Sequence, residues 1–268
     1  MDLRPKINIY TGRKQLSVGL AAYVAQLAAK ASQERGRFHV AFSGGSLLDI
    51  IAPALSSNPL RDVIDWSTWH VFWADERWVP LSSPDSNYGV AKRLLFSRVS
   101  IPGGQVHTMD DSQPPKETAK TYECKLLNIL LPGAHQIPQF DLILLGIGED
   151  GHTASLFPGH PALKETRRWV VPILNAPKPP PVRITMTLPV INHARNVVFV
   201  AAGSTKGTII SDVLHSKDEQ PKLPVQMVKP SNGELHWFID RPAADRAHIN
   251  PLFIVKEVPA GSEENELS

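Results

Sequence analysis

A chain of 268 residues, 42% of them hydrophobic and 20% charged, is long enough to bury a core without covalent staples. The formal net charge is only +2 with no block of Lys and Arg, which excludes a surface that tracks nucleic acid, and one cysteine, Cys124, excludes an internal disulfide and a thiolate metal site. No stretch approaches the roughly 20 apolar residues of a membrane span, and the lone cysteine with no secretory apolar region near residue 1 predicts a reducing, cytoplasmic setting.

The opening segment carries the strand-like Ile7-Asn8-Ile9-Tyr10, and apolar residues then recur at helical spacing over 16–30 (Leu20, Val24, Leu27, then Ala31). Residues 37–42 alternate as a strand and end in Ser43-Gly44-Gly45-Ser46, after which 47–55 reads as a helix. A strand over 69–74 follows, then helices around 88–96 and over 116–131. The apolar run 142–145 stops at glycines and is too short to cross a bilayer, so it reads as a strand buried on both faces. Strands at 183–187 and 197–201 and a helix over 204–214 complete the series. Strands alternating with helices predict an α/β fold with a doubly wound parallel sheet. The proline-rich stretch 176–181 reads as a stiff loop within one domain covering 1–260, and the acidic end, 261–268, as a frayed tail.

Residues suited to chemistry fall just beyond the predicted strand ends, where ligands gather in such sheets. At Ser43-Gly44-Gly45-Ser46 unpaired amides and a helix dipole favour an anion; the alternative is a tight turn capped by Ser46. Arg77, in Asp75-Glu76-Arg77, is suited to clamp a phosphate or carboxylate. A solvated charge cluster is the alternative there, weakened by the neighbouring Trp69, Trp73 and Trp78. Gly146, Gly148 and Gly151 allow close backbone approach before His152, and Asp150 is placed to orient that imidazole and raise its pKa. Such a pair suits general acid–base catalysis; a turn histidine satisfying backbone groups is the bland alternative. Lys206 opens a helix, where a cation opposes the dipole unless an anion is present, or else it is a plain surface lysine. Arg183, just past the prolines, is a further candidate anion contact. Scattered histidines and no His-Glu-x-x-His predict no metal.

Taken together, SGGS at Ser43, WADERWVP from Trp73 with Ser86-Asn87-Tyr88-Gly89 after it, LLGIGEDGHTASLFPGHP from Leu144, PPVRITMTLPVIN from Pro180 and GSTK at Gly203 resemble the 6-phosphogluconolactonase family, in order and over nearly the whole chain. The resemblance implies the fold shared with glucosamine-6-phosphate deaminases, a Rossmann-like parallel sheet flanked by helices on both faces. It also implies hydrolysis of 6-phospho-D-glucono-1,5-lactone to 6-phospho-D-gluconate in the oxidative pentose phosphate pathway, without a cofactor. Carried over residue by residue, it puts the catalytic histidine at His152 with Asp150 as its acidic neighbour, and substrate contacts at Ser43, Gly44, Gly45, Ser46, Arg77 and Lys206, with Arg183 as an addition. Backbone amides of the turn containing Gly148 and Gly151 are the expected oxyanion donors. Asp75 and Glu76 remain open: they hold Arg77, contact sugar hydroxyls, or shape the site. The implied partner is a small phosphorylated sugar lactone, with no nucleic acid and no membrane, on a monomer or weak homo-oligomer.

Two other readings stand beside this one. An aminosugar-phosphate deaminase or isomerase on the same fold carries an additional glutamate soon after the Gly-His pair, and residues 153–158 here contain no acid. A non-catalytic sugar-phosphate-binding regulator would keep the pocket without turnover.

Overall fold

The computed structural model describes residues 5–130, 136–215, 223–249 and 254–258; the expected acidic tail at 261–268 lies outside the described residues. The strands are β1 (Lys6–Tyr10), β2 (Phe38–Phe42), β3 (Trp69–Trp73), β4 (Asp75–Arg77), β5 (Leu142–Gly146), β6 (Val170–Ile173), β7 (Arg183–Met186), β8 (Asn196–Ala201), β9 (Glu234–Asp240) and β10 (Ile254–Val258). Seven of them form one sheet in the order β10-β1-β9-β8-β5-β2-β3, every neighbouring pair parallel. Parallel pairing sends all their C-terminal ends to one edge, and the candidate residues at 43–46, 146–152 and 203–206 follow those ends.

The helices are α1 (Arg13–Arg35), α2 (Ser46–Leu55), α3 (Leu60–Val63), α4 (Asn87–Ala91), α5 (Pro115–Leu130), α6 (Leu188–Ile191), α7 (Gly207–Leu214) and α8 (Arg241–Ala247). Leu16, Leu20, Val24, Ala28 and Ala31 make a buried stripe three or four residues apart along α1, which packs on β1, β2 and β9. α8 packs on β1 and β9, and α2 on β5. Leu142, Ile143, Leu144 and Leu145 are all fully buried, the signature of a strand covered on both faces. No helix among the described residues is long and apolar enough to cross a membrane.

The structure corrects the reading of four segments. The strand predicted at 183–187 does not join the parallel sheet: it is β7, the middle of a small antiparallel sheet β4-β7-β6. Asp75, Glu76 and Arg77 are not loose charges beyond β3 but the whole of β4, lying along the same sheet. The helix predicted around 88–96 is α4 followed by a wider turn over Lys92–Phe96, and the one over 204–214 begins as a tight turn that becomes α7 at Gly207.

Candidate active site

Alternation along the small sheet sorts the charges. In the β4–β7 pairing Asp75 faces Thr185, Glu76 faces Ile184, and Arg77 faces Arg183. Side chains on one strand point alternately to opposite faces, so Asp75, Arg77, Arg183 and Thr185 share a face and Glu76 takes the other. Asp75, Arg77 and Arg183 line a cavity of about 340 Å³, whose wall also contains the turn from Ser43 to Ser46, Gly148, His152 and Lys206. Asp150, Gly151 and Glu76 stand behind that wall and do not line it.

Nδ1 of His152 lies 2.5 Å from Oδ1 of Asp150. With the carboxylate ionised, Nδ1 is the donor, which leaves Nε2 as the basic nitrogen. Only glycine fits at 148 beside this pair, because a Cβ there would lie 2.0 Å from Nδ1. Burial pushes the imidazole pKa down and outweighs the opposing pull of Asp150, so the net direction is below the ordinary value, not above it as the carboxylate alone predicts. Burial would raise the pKa of Asp150, yet hydrogen bonds from His152 and Lys178 outweigh it and hold the carboxyl below its usual range. The ring of Phe157 lies 4.7 Å from the imidazole centroid to centroid, consistent with this partly desolvated setting.

The expected oxyanion donors are corrected by their hydrogen bonds. Gly148 N–H donates to His152 O and Gly151 N–H donates to Gly148 O, both at 2.9 Å, so these two amides are spent within the turn. Amides remain at the start of α2, where Gly45 is the N-cap and no side chain caps the helix. Ser46 is thus the first helical residue and not the cap.

Arg77 and Arg183 are directly opposed like charges, an arrangement that costs energy unless an anion or other compensation is near. Arg77 donates from Nη1 to Asp85 O at 3.1 Å, while its buried Nε has no hydrogen-bond partner among the described residues. Arg183 is only 3% exposed and spends its donors on Lys178 O, Pro179 O, Pro180 O and Ser155 Oγ, so the expected anion contact is chiefly the hub of the proline loop. Burial lowers its pKa, with Asp75 opposing. Lys206 donates from Nζ to Ile147 O at 2.9 Å, which holds its ammonium at the cavity wall.

Asp75 accepts from Ser43 Oγ at 2.6 Å and from Ser155 Oγ at 2.8 Å, one hydroxyl on each carboxylate oxygen. Glu76 accepts from the backbone N–H groups of Arg77 (2.7 Å), Asn87 (2.7 Å) and Tyr88 (2.8 Å) and from Ser86 Oγ (3.1 Å). Its burial pushes the pKa up to about 7 against these donors. Of the roles left open for the two acids, Glu76 therefore shapes the site from behind, and Asp75 ties the Ser43 turn to Ser155. Sequence reading passed over Lys178, whose Nζ reaches Asp150 Oδ1 at 3.2 Å and which lines the cavity. A cation inside a run of prolines was its available signal.

Residues 11–237 match the family model described as glucosamine-6-phosphate isomerases/6-phosphogluconolactonase. A protein of Oryza sativa subsp. indica named probable 6-phosphogluconolactonase 4, chloroplastic, is 44% identical over 245 residues, spanning 89% of this chain and 75% of that one. The 6-phosphogluconolactonase of Rattus norvegicus is 41% identical over 240 residues, spanning 89% and 92%. The solved 6-phosphogluconolactonase from Trypanosoma cruzi superposes with a TM-score of 0.79 at 27% identity, over 91% of this chain and 97% of that one. With a family model that covers most of the chain and relatives this close along it, the chain belongs to the glucosamine-6-phosphate isomerase/6-phosphogluconolactonase family.

Proposed function

We propose that the protein hydrolyses 6-phospho-D-glucono-1,5-lactone to 6-phospho-D-gluconate, a step of the oxidative pentose phosphate pathway. The observation that carries this reading is a carboxylate-oriented histidine on the wall of a cavity that also presents Arg77, Arg183 and Lys206. Relatives bearing the lactonase name along nearly the same span support it.

In the proposed reaction Nε2 of His152 takes a proton from water as the oxygen attacks the lactone carbonyl, and Asp150 stabilises the imidazolium that forms. The imidazolium then returns that proton to the ring oxygen as the acyl bond breaks, so no covalent enzyme intermediate is needed. The phosphate is assigned to the cationic side of the cavity, with Arg77, Lys206 and the free amides opening α2 as its contacts. The Gly148 and Gly151 amides are engaged within their own turn, so neither is free to hold the developing oxyanion. A cytoplasmic setting belongs to this reading, in keeping with the single unpaired, exposed Cys124.

The test is His152→Ala assayed on freshly generated lactone. Loss of roughly 10²–10⁴-fold in kcat with the fold intact is expected; a folded variant that hydrolyses the lactone near the wild-type rate removes His152 from the mechanism. Ammonia release from glucosamine 6-phosphate, measured alongside, is expected to stay at background.

A further inference from the structure

The proline loop carries a charge that the reaction above does not use. Ala176 N–H donates to Pro181 O at 2.9 Å and closes the loop. From the head of β7, Arg183 donates to Lys178 O at 2.8 Å, Pro179 O at 3.1 Å and Pro180 O at 2.9 Å. The same guanidinium reaches Ser155 Oγ at 3.3 Å and sits 5.5 Å from the centroid of the Phe157 ring, which packs on His152. The loop backbone is thereby pinned to the segment that carries the histidine. From this pinned backbone Lys178 extends Nζ to within 3.2 Å of Asp150 Oδ1, the oxygen that also accepts from His152 Nδ1.

We propose that Lys178 is a positioning residue: acting through Asp150, it holds the carboxylate in register with Nδ1 of His152 and keeps the imidazole neutral, with Nε2 free to accept a proton. The inference rests on the proposed hydrolysis. One carboxylate oxygen that already faces an ammonium rewards a second positive charge less, so the resident lysine discounts protonation of the ring. Three charged side chains act on that ring: Asp150 from its own turn, Lys178 from the proline loop, and Asp75 from β4. The two acids favour the imidazolium; burial and Lys178 oppose it. Arg77, Arg183 and Lys206 line the same cavity and add positive charge around it, against the acid Glu149 on the same wall. Lys178 is itself 45% exposed at the side chain, so its ion pair contributes little to stability and its loss leaves the fold standing.

The experiment compares Lys178→Met and Lys178→Arg by two readouts: NMR titration of the His152 ring without substrate, and the pH profile of kcat/KM. In Lys178→Met the ring should titrate at higher pH and the acid limb of kcat/KM should move with it. On the plateau, kcat should fall by roughly tenfold or less, which corresponds to up to about 1.4 kcal/mol, while KM changes little. Lys178→Arg should restore both the midpoint and the rate. An unmoved midpoint with a large rise in KM would make Lys178 a substrate contact and overturn the proposal, as would an unmoved midpoint with unchanged kinetics. The NMR midpoint needs no substrate, so it decides the role of Lys178 even if the lactone is not turned over.

Discussion

Asn87 fills the space that a side chain on Gly44 would need: a Cβ at position 44 would fall 1.9 Å from Oδ1 of Asn87, whose Nδ2 donates to Asp75 O at 2.7 Å. The two residues compete for one volume at the joint between β2, β4 and α4. Gly44→Ala should evict the Asn87 amide and orphan the Asp75 carbonyl, lowering kcat/KM about tenfold or more and the melting temperature by a few degrees. Asn87→Ala removes the same hydrogen bond directly. The double variant should therefore cost less than the sum of the two, with a coupling of about 0.5–3 kcal/mol in denaturant melts. Strictly additive costs would show that the two sites do not share this space.

Asp150→Asn should cost about 10²–10⁴-fold in kcat with little change in the thermal melt. An amide at position 150 can donate toward Nδ1, which moves the imidazole proton to Nε2, the nitrogen that must accept. The wild-type pH profile checks the same assignment. Burial outweighs Asp150 and holds the His152 pKa below its ordinary value of 6.5, and in the proposed mechanism the neutral ring is the active form. Activity should therefore be flat near neutrality and fall as pH drops through a midpoint below 6.5. An acid limb centred above 6.5 would contradict the balance of burial over ion pairing.

Glu76→Gln should destabilise the protein by about 1–3 kcal/mol, because both side-chain oxygens of Glu76 accept hydrogen bonds and Gln replaces one of them with an NH2 that cannot accept. The size of the loss should depend on pH. The folded pKa of Glu76 is raised from 4.5 to about 7, so its contribution is fully present below 4.5 and is lost as pH rises through about 7. Denaturant midpoints of wild type and variant should thus lie further apart at pH 5 than at pH 8. The opposite trend would mean that the carboxylate is ionised throughout.

His39 on β2 stands opposite His70 on β3, and His70 Nδ1 is 3.2 Å from His107 Nε2. Burial depresses all three, His39 to about 3 and His107 to about 4, with the neighbouring imidazoles and the cations Arg35, Arg37 and Lys125 adding to it. Depressed histidine pKa values mean that the unfolded chain binds more protons than the folded one below about 6.5. Stability should decline as pH falls from 6.5 toward 4. His107→Phe, which keeps a ring against Phe72 (now 4.4 Å away), should flatten that decline by up to one proton. Parallel pH slopes for wild type and variant would show that the cluster does not drive the decline.

Most of the parallel sheet is legible in the sequence because its strands are short apolar runs that end at Gly or Ser, as at Phe42-Ser43 and Leu145-Gly146. The small sheet is not, because β4 is three charged residues whose strand character comes only from pairing with β7. That pairing explains why Glu76 and Arg77, adjacent in sequence, part to opposite faces. β6, β9 and β10 are likewise unassigned, although Leu235, Trp237 and Ile239 alternate with polar or aromatic neighbours in the strand-like manner. At the site, residue types pointed to His152 and Arg77, which line the cavity, and to Asp150, which is hydrogen-bonded to the imidazole. What they did not announce was which amides are already spent, since Gly148 and Gly151 look free in any list of residues and are bonded only in three dimensions.

β1 lies between β9 and β10, so Lys6 pairs on one side with His236 and on the other with Ile254. A ribosome delivers β1 well before either of these partners. Once made, β1 has neither neighbour, and the sheet cannot close around it until the stretch through Asp240 has left the exit tunnel. The emerging chain therefore carries the apolar side chains of Ile7 and Ile9 unpaired for that interval, the kind of short extended apolar segment that chaperones can hold.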